Sequence, residues 1–239
     1  PRASRTVPFV SKATGVPLAK LATKVMAGMT LEELGFTREP RLSHVAVKEA
    51  VLPFVKFSGV DVILGPEMKS TGEVMGIDRD FGRAFAKSQI AASGTLPLQG
   101  KVFLSVRDPD KPNLPRLGQA FADLGFHILA TEGTARCLAE AGVAAERVYK
   151  VTDGVRPHIV DRMKSGEIVL VVNTPEGRTS RLDSYSIRRT AINQGIPCFT
   201  TMAAAYAAVQ GIRALRAEGL QVKTLQEYDG KGVEGGHAR

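Results

Sequence analysis

From residue 101 onward, apolar and polar positions fall into two kinds of block that take turns along the chain. Short continuous apolar runs occupy 101–106, 127–130, 148–151, 168–172 and 197–199. Between them, at 114–125, 134–141, 157–165 and 184–194, apolar residues recur three and four positions apart, and an Ala-rich stretch closes the series at 202–218. Apolar strands separated by amphipathic helices predict a parallel sheet covered on both faces, because each crossover lays its helix against the sheet. The segment from Leu114 shows the pattern: Leu117, Phe121 and Leu124 stand at i, i+4 and i+7, and Gly125 supplies the stop. The expected fold class is α/β, a doubly wound sheet of five parallel strands.

The first 95 residues are less regular. Leu18, Leu21, Ala22, Val25 and Met26 have helical spacing, with Pro17 at the first position and Gly28 beyond the end, which predicts a helix over 17–26. Residues 45–52 read as a β-branched strand, and 80–90 as a helix with Phe81, Ala84 and Phe85 on one side. The stretch 57–76 is dense in turn formers, has no clean period and reads as loop packed onto something else. Residues 92–97 have the composition of a linker, so the expected division is 1–95, 96–225 and a tail, 226–239. The front part is α+β in character.

Composition narrows the partners. The chain has 239 residues, 44% of them hydrophobic, and a formal net charge of +8. Such a charge suits nucleic acid, anionic lipid or phosphorylated ligands. Lys and Arg are scattered rather than gathered, with few aromatics beside them to stack on bases, so no nucleic-acid partner is expected. No run is apolar enough to span a bilayer and no signal peptide is visible, so neither a membrane nor export is expected. The two cysteines, Cys137 and Cys198, are far apart in apolar surroundings and read as free thiols of a cytoplasmic protein. The chain opens inside a polar segment, Pro1 to Phe9, and reads as the back end of a larger enzyme.

In a parallel α/β sheet, ligands bind beyond the carboxyl ends of the strands. Those ends carry Ser105 with Lys111 close behind, Thr131-Glu132-Gly133-Thr134, Lys150, Asn173-Thr174 and Thr200. In the second of these, glycine would let backbone approach an anion while Thr131, Thr134 and the following helix N–H groups point at it, a phosphate cradle by its parts. The same residues would equally serve as a helix cap and turn. Asp183 either caps the next helix or reaches the ligand edge. His158 reads as a capping or surface residue, and Asp161 and Glu167 as solvated charges; no nucleophile–base set is suggested. At the front, Arg2 and Arg5 could clamp phosphate or carboxylate, or lie in a solvated loop.

Longer runs then identify a family. Residues 1–15, Val47-Lys48-Glu49 with Leu52-Pro53-Phe54, and Leu64 through Gly76 resemble the large subunit of carbamoyl-phosphate synthetase near its C-terminus. So do Leu104-Ser105-Val106-Arg107, Thr131-Glu132-Gly133-Thr134-Ala135, Arg156-Pro157-His158-Ile159, Val172-Asn173-Thr174 and Ile187-Arg188-Arg189. The resemblance implies that the front residues end an incomplete ATP-grasp (carbamoyl-phosphate) domain and that the rest is a regulatory domain sharing its fold with methylglyoxal synthase. It implies a ligase that makes carbamoyl phosphate from bicarbonate, glutamine-derived ammonia and two ATP for pyrimidine and arginine synthesis. ATP and Mg2+ or Mn2+ would be cofactors, and the rest of the large subunit and a small glutamine amidotransferase subunit would be partners.

Carried over residue by residue, Arg2 and Arg5 match arginines that stabilise the carbamate and the transferring phosphoryl group. Glu49 and Thr200 match ornithine-binding positions. Ser105, Lys111, Thr131, Thr134, Lys150, Asn173, Thr174 and Asp183 match those that hold a nucleotide effector, UMP or IMP. No metal ligand is expected in this chain. Two departures stand out: Pro175 where a second hydroxyl often follows, and Phe199 where family members can carry Asp. Methylglyoxal synthase and a stand-alone regulatory subunit are the alternatives; the former carries an Asp at the strand end held here by Asn173-Thr174. The cyclohydrolase domain of late purine synthesis shares the Thr-x-Gly-Thr turn but does not explain residues 1–76.

Overall fold

The computed structural model describes residues 4–57, 60–92 and 94–228. At the front, helix α1 (Thr6–Thr14) turns at Gly15, whose φ of +68° suits glycine, into helix α2 (Leu18–Met26). The start of α1 is a correction, since Thr6 to Phe9 fall in the opening segment that reads as a loop. The helix is pinned by its end: the buried His44 donates from Nε2 to the Ala13 carbonyl at 2.7 Å.

Strand β1 (Val45–Val51) pairs antiparallel with β2 (Gly72–Asp78). The second strand also corrects the sequence reading, which places these residues in a loop. Helix α3 (Phe81–Ala91) lies directly on it at Gly76, where a Cβ would strike the Ala84 carbonyl and come within 2.5 Å of the Ser88 nitrogen. The glycine that resembles a turn former is thus a point of close approach. Asp80 caps α3 by accepting from the Arg83 N–H at 3.0 Å.

The second part is a sheet of five parallel strands. Its order is β5 (Glu146–Arg147), β4 (His127–Ala130), β3 (Lys101–Val106), β6 (Ile168–Thr174) and β7 (Cys198–Phe199). The helices are α4 (Leu114–Asp123), α5 (Glu132–Glu140), α6 (Ile159–Lys164), α7 (Gly177–Asp183), α8 (Tyr185–Asn193) and α9 (Met202–Glu218), with a short α10 (Leu225–Tyr228) in the tail. Side-chain alternation assigns the layers. Val102 and Leu104 of β3, with Ile128 and Leu170, pack with Phe121, Leu138 and Val209 from α4, α5 and α9. Phe103, Leu129 and Val171 point the other way, onto Met163 of α6 and Ile187 of α8. Continuous apolar strands are therefore read correctly as a sheet covered on both sides.

Several elements differ from the sequence reading. The edge strand β5 is only two residues, placed before 148–151, and a short 3-10 turn, Val151–Asp153, occupies what reads as its end. Helix α5 begins at Glu132 rather than Thr134. Helix α7 is unanticipated: Gly, Ser, Thr and Arg dominate it and it has no apolar stripe. His158 does cap α6: its Nδ1 accepts from the Asp161 N–H at 3.3 Å, and Asp161 accepts from the His158 N–H at 3.0 Å, so Asp161 is a cap rather than a solvated charge. Glu167 pairs with Lys101 at 2.9 Å.

The linker does not interrupt the core. Leu96, Phe85 and Ala86 join the cluster that contains α9. The α3 and α9 backbones meet at glycines: a Cβ on Gly82 would lie 2.6 Å from the Gln210 carbonyl, and one on Gly211 would lie 3.4 Å from the Gly82 carbonyl. The tail returns to the same region, where Tyr228 accepts from Lys87 at 3.2 Å and meets the His44 ring edge-on at 5.6 Å.

Candidate functional site

Sequential strands leave β3 in two directions, through β4 to β5 on one side and through β6 to β7 on the other. This reversal opens a crevice between the β3 and β6 ends. In the sheet register, Ser105 lies beside Asn173 and Val106 beside Thr174 at these ends. A pocket of about 320 Å³ lies there, lined by Ser105, Lys150, Asn173, Thr174, Asp183 and, among others, Ile187. Five of the residues singled out from sequence thus share one cavity, although they come from separate segments.

The rest of the expected cradle stands beside it in a different role. Thr131 and Thr134 are buried; the Val106 N–H donates to Thr134 Oγ1 at 3.1 Å and Thr131 Oγ1 lies 3.2 Å from the same oxygen. These hydroxyls tie the end of β3 to the first turn of α5 rather than lining the pocket. Lys111 forms an ion pair with Asp108 at 2.6 Å. A Cβ at Gly133 would meet its ammonium at 3.2 Å, so the cation stands over the N-terminal turn of α5. Thr174 is partly engaged as well, accepting from the Arg107 N–H at 3.1 Å. The Asp110 carboxyl is held below its ordinary range by its hydrogen bond from Arg107 first, with the Thr174 hydroxyl adding to it.

Sequence reasoning misses Ser180 and Glu176, which also line the pocket, because α7 carries no periodic signal. It misses Arg188 as a site element too. This residue is fully buried and donates from Nη1 to Asn173 Oδ1 at 2.9 Å. Since a guanidinium only donates, it fixes the Asn173 amide oxygen on its own side and leaves the NH2 group for the pocket. The pocket therefore offers Lys150 and an amide as donors, Ser105 as either, and Asp183 and Glu176 as acceptors. Such a mixture suits a ligand with an anionic group, hydroxyls and ring N–H or C=O groups.

At the front, Arg2 lies outside the described residues. Arg5 is exposed, points Nη2 at Met68 Sδ at 3.6 Å, and lines a pocket of about 460 Å³ with Lys12, Lys48 and Glu73. Lys48 bridges to Glu73 at 3.2 Å and donates to Thr6 at 3.1 Å. Glu49, on β1, is half-buried; loss of water pushes its carboxyl above the ordinary value, and a hydrogen bond from Gln89 pulls the other way. Thr200 stands between β7 and α9, and among the described residues no hydrogen bond joins it to Glu49. Val47, on the same face of β1 as Glu49, does pack on the cluster that includes Met202 at the start of α9.

Both cysteines are free. Burial pushes the Cys198 thiol up to about 12, which keeps it protonated and unreactive. Among the described residues no group of three or more His, Cys, Asp or Glu side chains is arranged to hold a metal ion, and no helix is long and apolar enough to cross a membrane.

The family profile of the MGS-like domain matches residues 113–200, which contain most of the pocket lining. The chain is 58% identical over 228 residues to the carbamoyl phosphate synthase large chain of Nostoc sp., covering 95% of this chain and 21% of that one. It is 56% identical over 230 residues to the large chain of Myxococcus xanthus, covering 96% and 21%. For Archaeoglobus fulgidus the identity is 53% over 229 residues, with 95% and 21% covered. The chain spans about a fifth of the length of these curated relatives. Along nearly its whole length the chain is similar to one part of the carbamoyl phosphate synthase large chain, and its residues 113–200 match the MGS-like domain.

Proposed function

We propose that the pocket between the β3 and β6 ends binds a nucleoside monophosphate effector, UMP or IMP, and that the chain supplies the regulatory part of a carbamoyl phosphate synthase large chain. One observation carries this reading: Ser105, Lys150, Asn173 and Asp183 converge on one cavity of about 320 Å³ at the switch point of the sheet. In it, Lys150 and, at the margin, Lys111 with the α5 N-terminus take the phosphate. Asp183 and the Asn173 amide take ribose hydroxyls and base edges, and Ile187 supplies an apolar wall. Thr131 and Thr134 hold the α5 turn in position, and Thr174 does the same for the loop after β3.

The parent reaction in this reading makes carbamoyl phosphate from bicarbonate, glutamine-derived ammonia and two ATP. The remainder of the large chain and a small amidotransferase subunit are its partners, in the cytoplasm. Residues 1–95 belong to the carbamoyl-phosphate half and 96–225 to the regulatory domain, with Arg2 and Arg5 near the phosphorylated carbamate and Glu49 and Thr200 in an ornithine site. The described residues hold no ligand cluster for the Mg2+ or Mn2+ that accompanies ATP, so no step through the metal or ATP is assigned to them.

Thermal unfolding of the chain with UMP, IMP and ornithine, each at millimolar concentration, tests the reading. UMP or IMP should raise the melting temperature, as any ligand that binds only the folded state does. No shift with either nucleotide would remove the effector assignment. Turnover of dihydroxyacetone phosphate would favour methylglyoxal synthase instead.

A further inference from the structure

The guanidinium of Arg188 is fully buried and all five of its N–H groups find acceptors. Nε donates to Asp61 Oδ1 at 2.7 Å, and Nη2 pairs with Asp61 Oδ2. Nη2 also donates to the Arg181 carbonyl at 2.7 Å, and Nη1 donates to Ser184 Oγ at 2.6 Å and to Asn173 Oδ1 at 2.9 Å. Asn173 and Ser184 line the pocket, and Arg181 stands on the helix between them. Asp61 belongs to the front part of the chain, 127 positions away. The neighbouring Arg189 donates to the Phe57 carbonyl at 3.1 Å, so α8 holds the front segment at two points, and it packs on the short 3-10 turn Phe54–Lys56 as well.

From this arrangement we propose that Arg188 is a positioning residue that couples occupancy of the pocket to the placement of residues 60–71 in the front part. The inference rests on the nucleotide reading of the pocket. A ligand that recruits the Asn173 amide rotates or draws it, and Nη1 then loses an acceptor in a place that water does not reach. A buried guanidinium N–H left without an acceptor is costly, so Arg188 follows Asn173 rather than staying behind. Its other edge is committed to both oxygens of Asp61, a two-point grip that transmits direction as well as charge. The segment that moves with Asp61 leads straight into Gly72, where β2 begins. Because coupling is reciprocal, a change at Asp61 alters nucleotide affinity although Asp61 does not line the pocket.

Hydrogen exchange on the 239-residue chain, with and without saturating UMP or IMP, tests this when paired with calorimetric titration of the same samples. In the wild-type chain, nucleotide should change exchange of residues 60–71 by about fivefold or more. In Asp61→Asn, nucleotide should still bind, with a changed affinity and without the response in 60–71, and Asp61→Glu should restore part of that response. If nucleotide binds the wild-type chain and 60–71 do not respond, the coupling is overturned while the pocket reading stands. The coupling is equally overturned if Asp61→Asn responds as the wild type does. If neither nucleotide binds, the pocket reading falls and the coupling with it. The wild-type measurement decides the matter even if Asp61→Asn does not fold.

Discussion

A side chain's chemistry in this protein depends on what saturates it. Asn173 presents an NH2 group to the pocket because Arg188 occupies its oxygen. Lys150 is exposed, its backbone N–H held by Asp153 at 2.8 Å while its side chain lines the pocket. Lys150→Ala and Asn173→Ala should each reduce the nucleotide-induced rise in melting temperature, consistent with a loss of about 1–3 kcal/mol of binding. Thr134→Ala should act differently, lowering the stability of the unliganded chain because the Val106 N–H loses its acceptor. Both effects are read in one thermal-shift titration.

Asp78 offers a pH test at the same scale. Burial pushes its carboxyl up, but the Lys87 ammonium at 2.7 Å, the Arg79 N–H at 2.7 Å and the Arg83 charge at 3.1 Å together hold it below its ordinary 3.8. A depressed folded value adds stability above 3.8 that is lost as pH falls through the folded value. Asp78→Asn should therefore be less stable near pH 7 by roughly 1–3 kcal/mol, with the gap closing in acid. Urea titrations at about pH 7 and about pH 3 check it; an equal gap at both would assign the effect to packing.

Elements are legible where burial imprints a simple pattern: a stripe of apolar positions in helix α4, and continuous apolar runs in strands β3 and β6, which are buried on both faces. Strand β2 carries no such pattern, because α3 covers it at Gly76 and charged Glu73 pairs across to Lys48, so its residues alternate poorly. The close crossing of α3 and α9 makes a specific prediction. Gly82→Ala places a methyl 2.6 Å from the Gln210 carbonyl and should cost about 1–3 kcal/mol in chemical denaturation. Gly72→Ala, which meets nothing within 4 Å, should cost little and serves as its control.

At the scale of the molecule, the front part and the sheet domain share a core rather than merely a linker. Phe85 and Ala86 from α3 pack with Val209 and Ile212 of α9, and Arg83 pairs with Glu218 at the end of α9. The whole chain should unfold in one calorimetric transition, and residues 96–239 alone should melt at least about 4 °C lower, having lost that cover. Two separate transitions in the whole chain would show that the contact is energetically minor.

The alternation of apolar runs and amphipathic segments determined by itself the parallel, doubly covered sheet, because burial of both faces leaves its mark on the central strands β4, β3 and β6. It also placed Ser105, Asn173 and Thr174 at strand ends, since the end of an apolar run is visible locally. Which of these hydroxyls and amides face the pocket was decided only by tertiary structure: Thr131 and Thr134 turn to the β3 end, and Asn173 is oriented by Arg188. That arginine's role could not be read from its neighbours in sequence, because its carboxylate partner lies 127 positions away and only folding brings the two together.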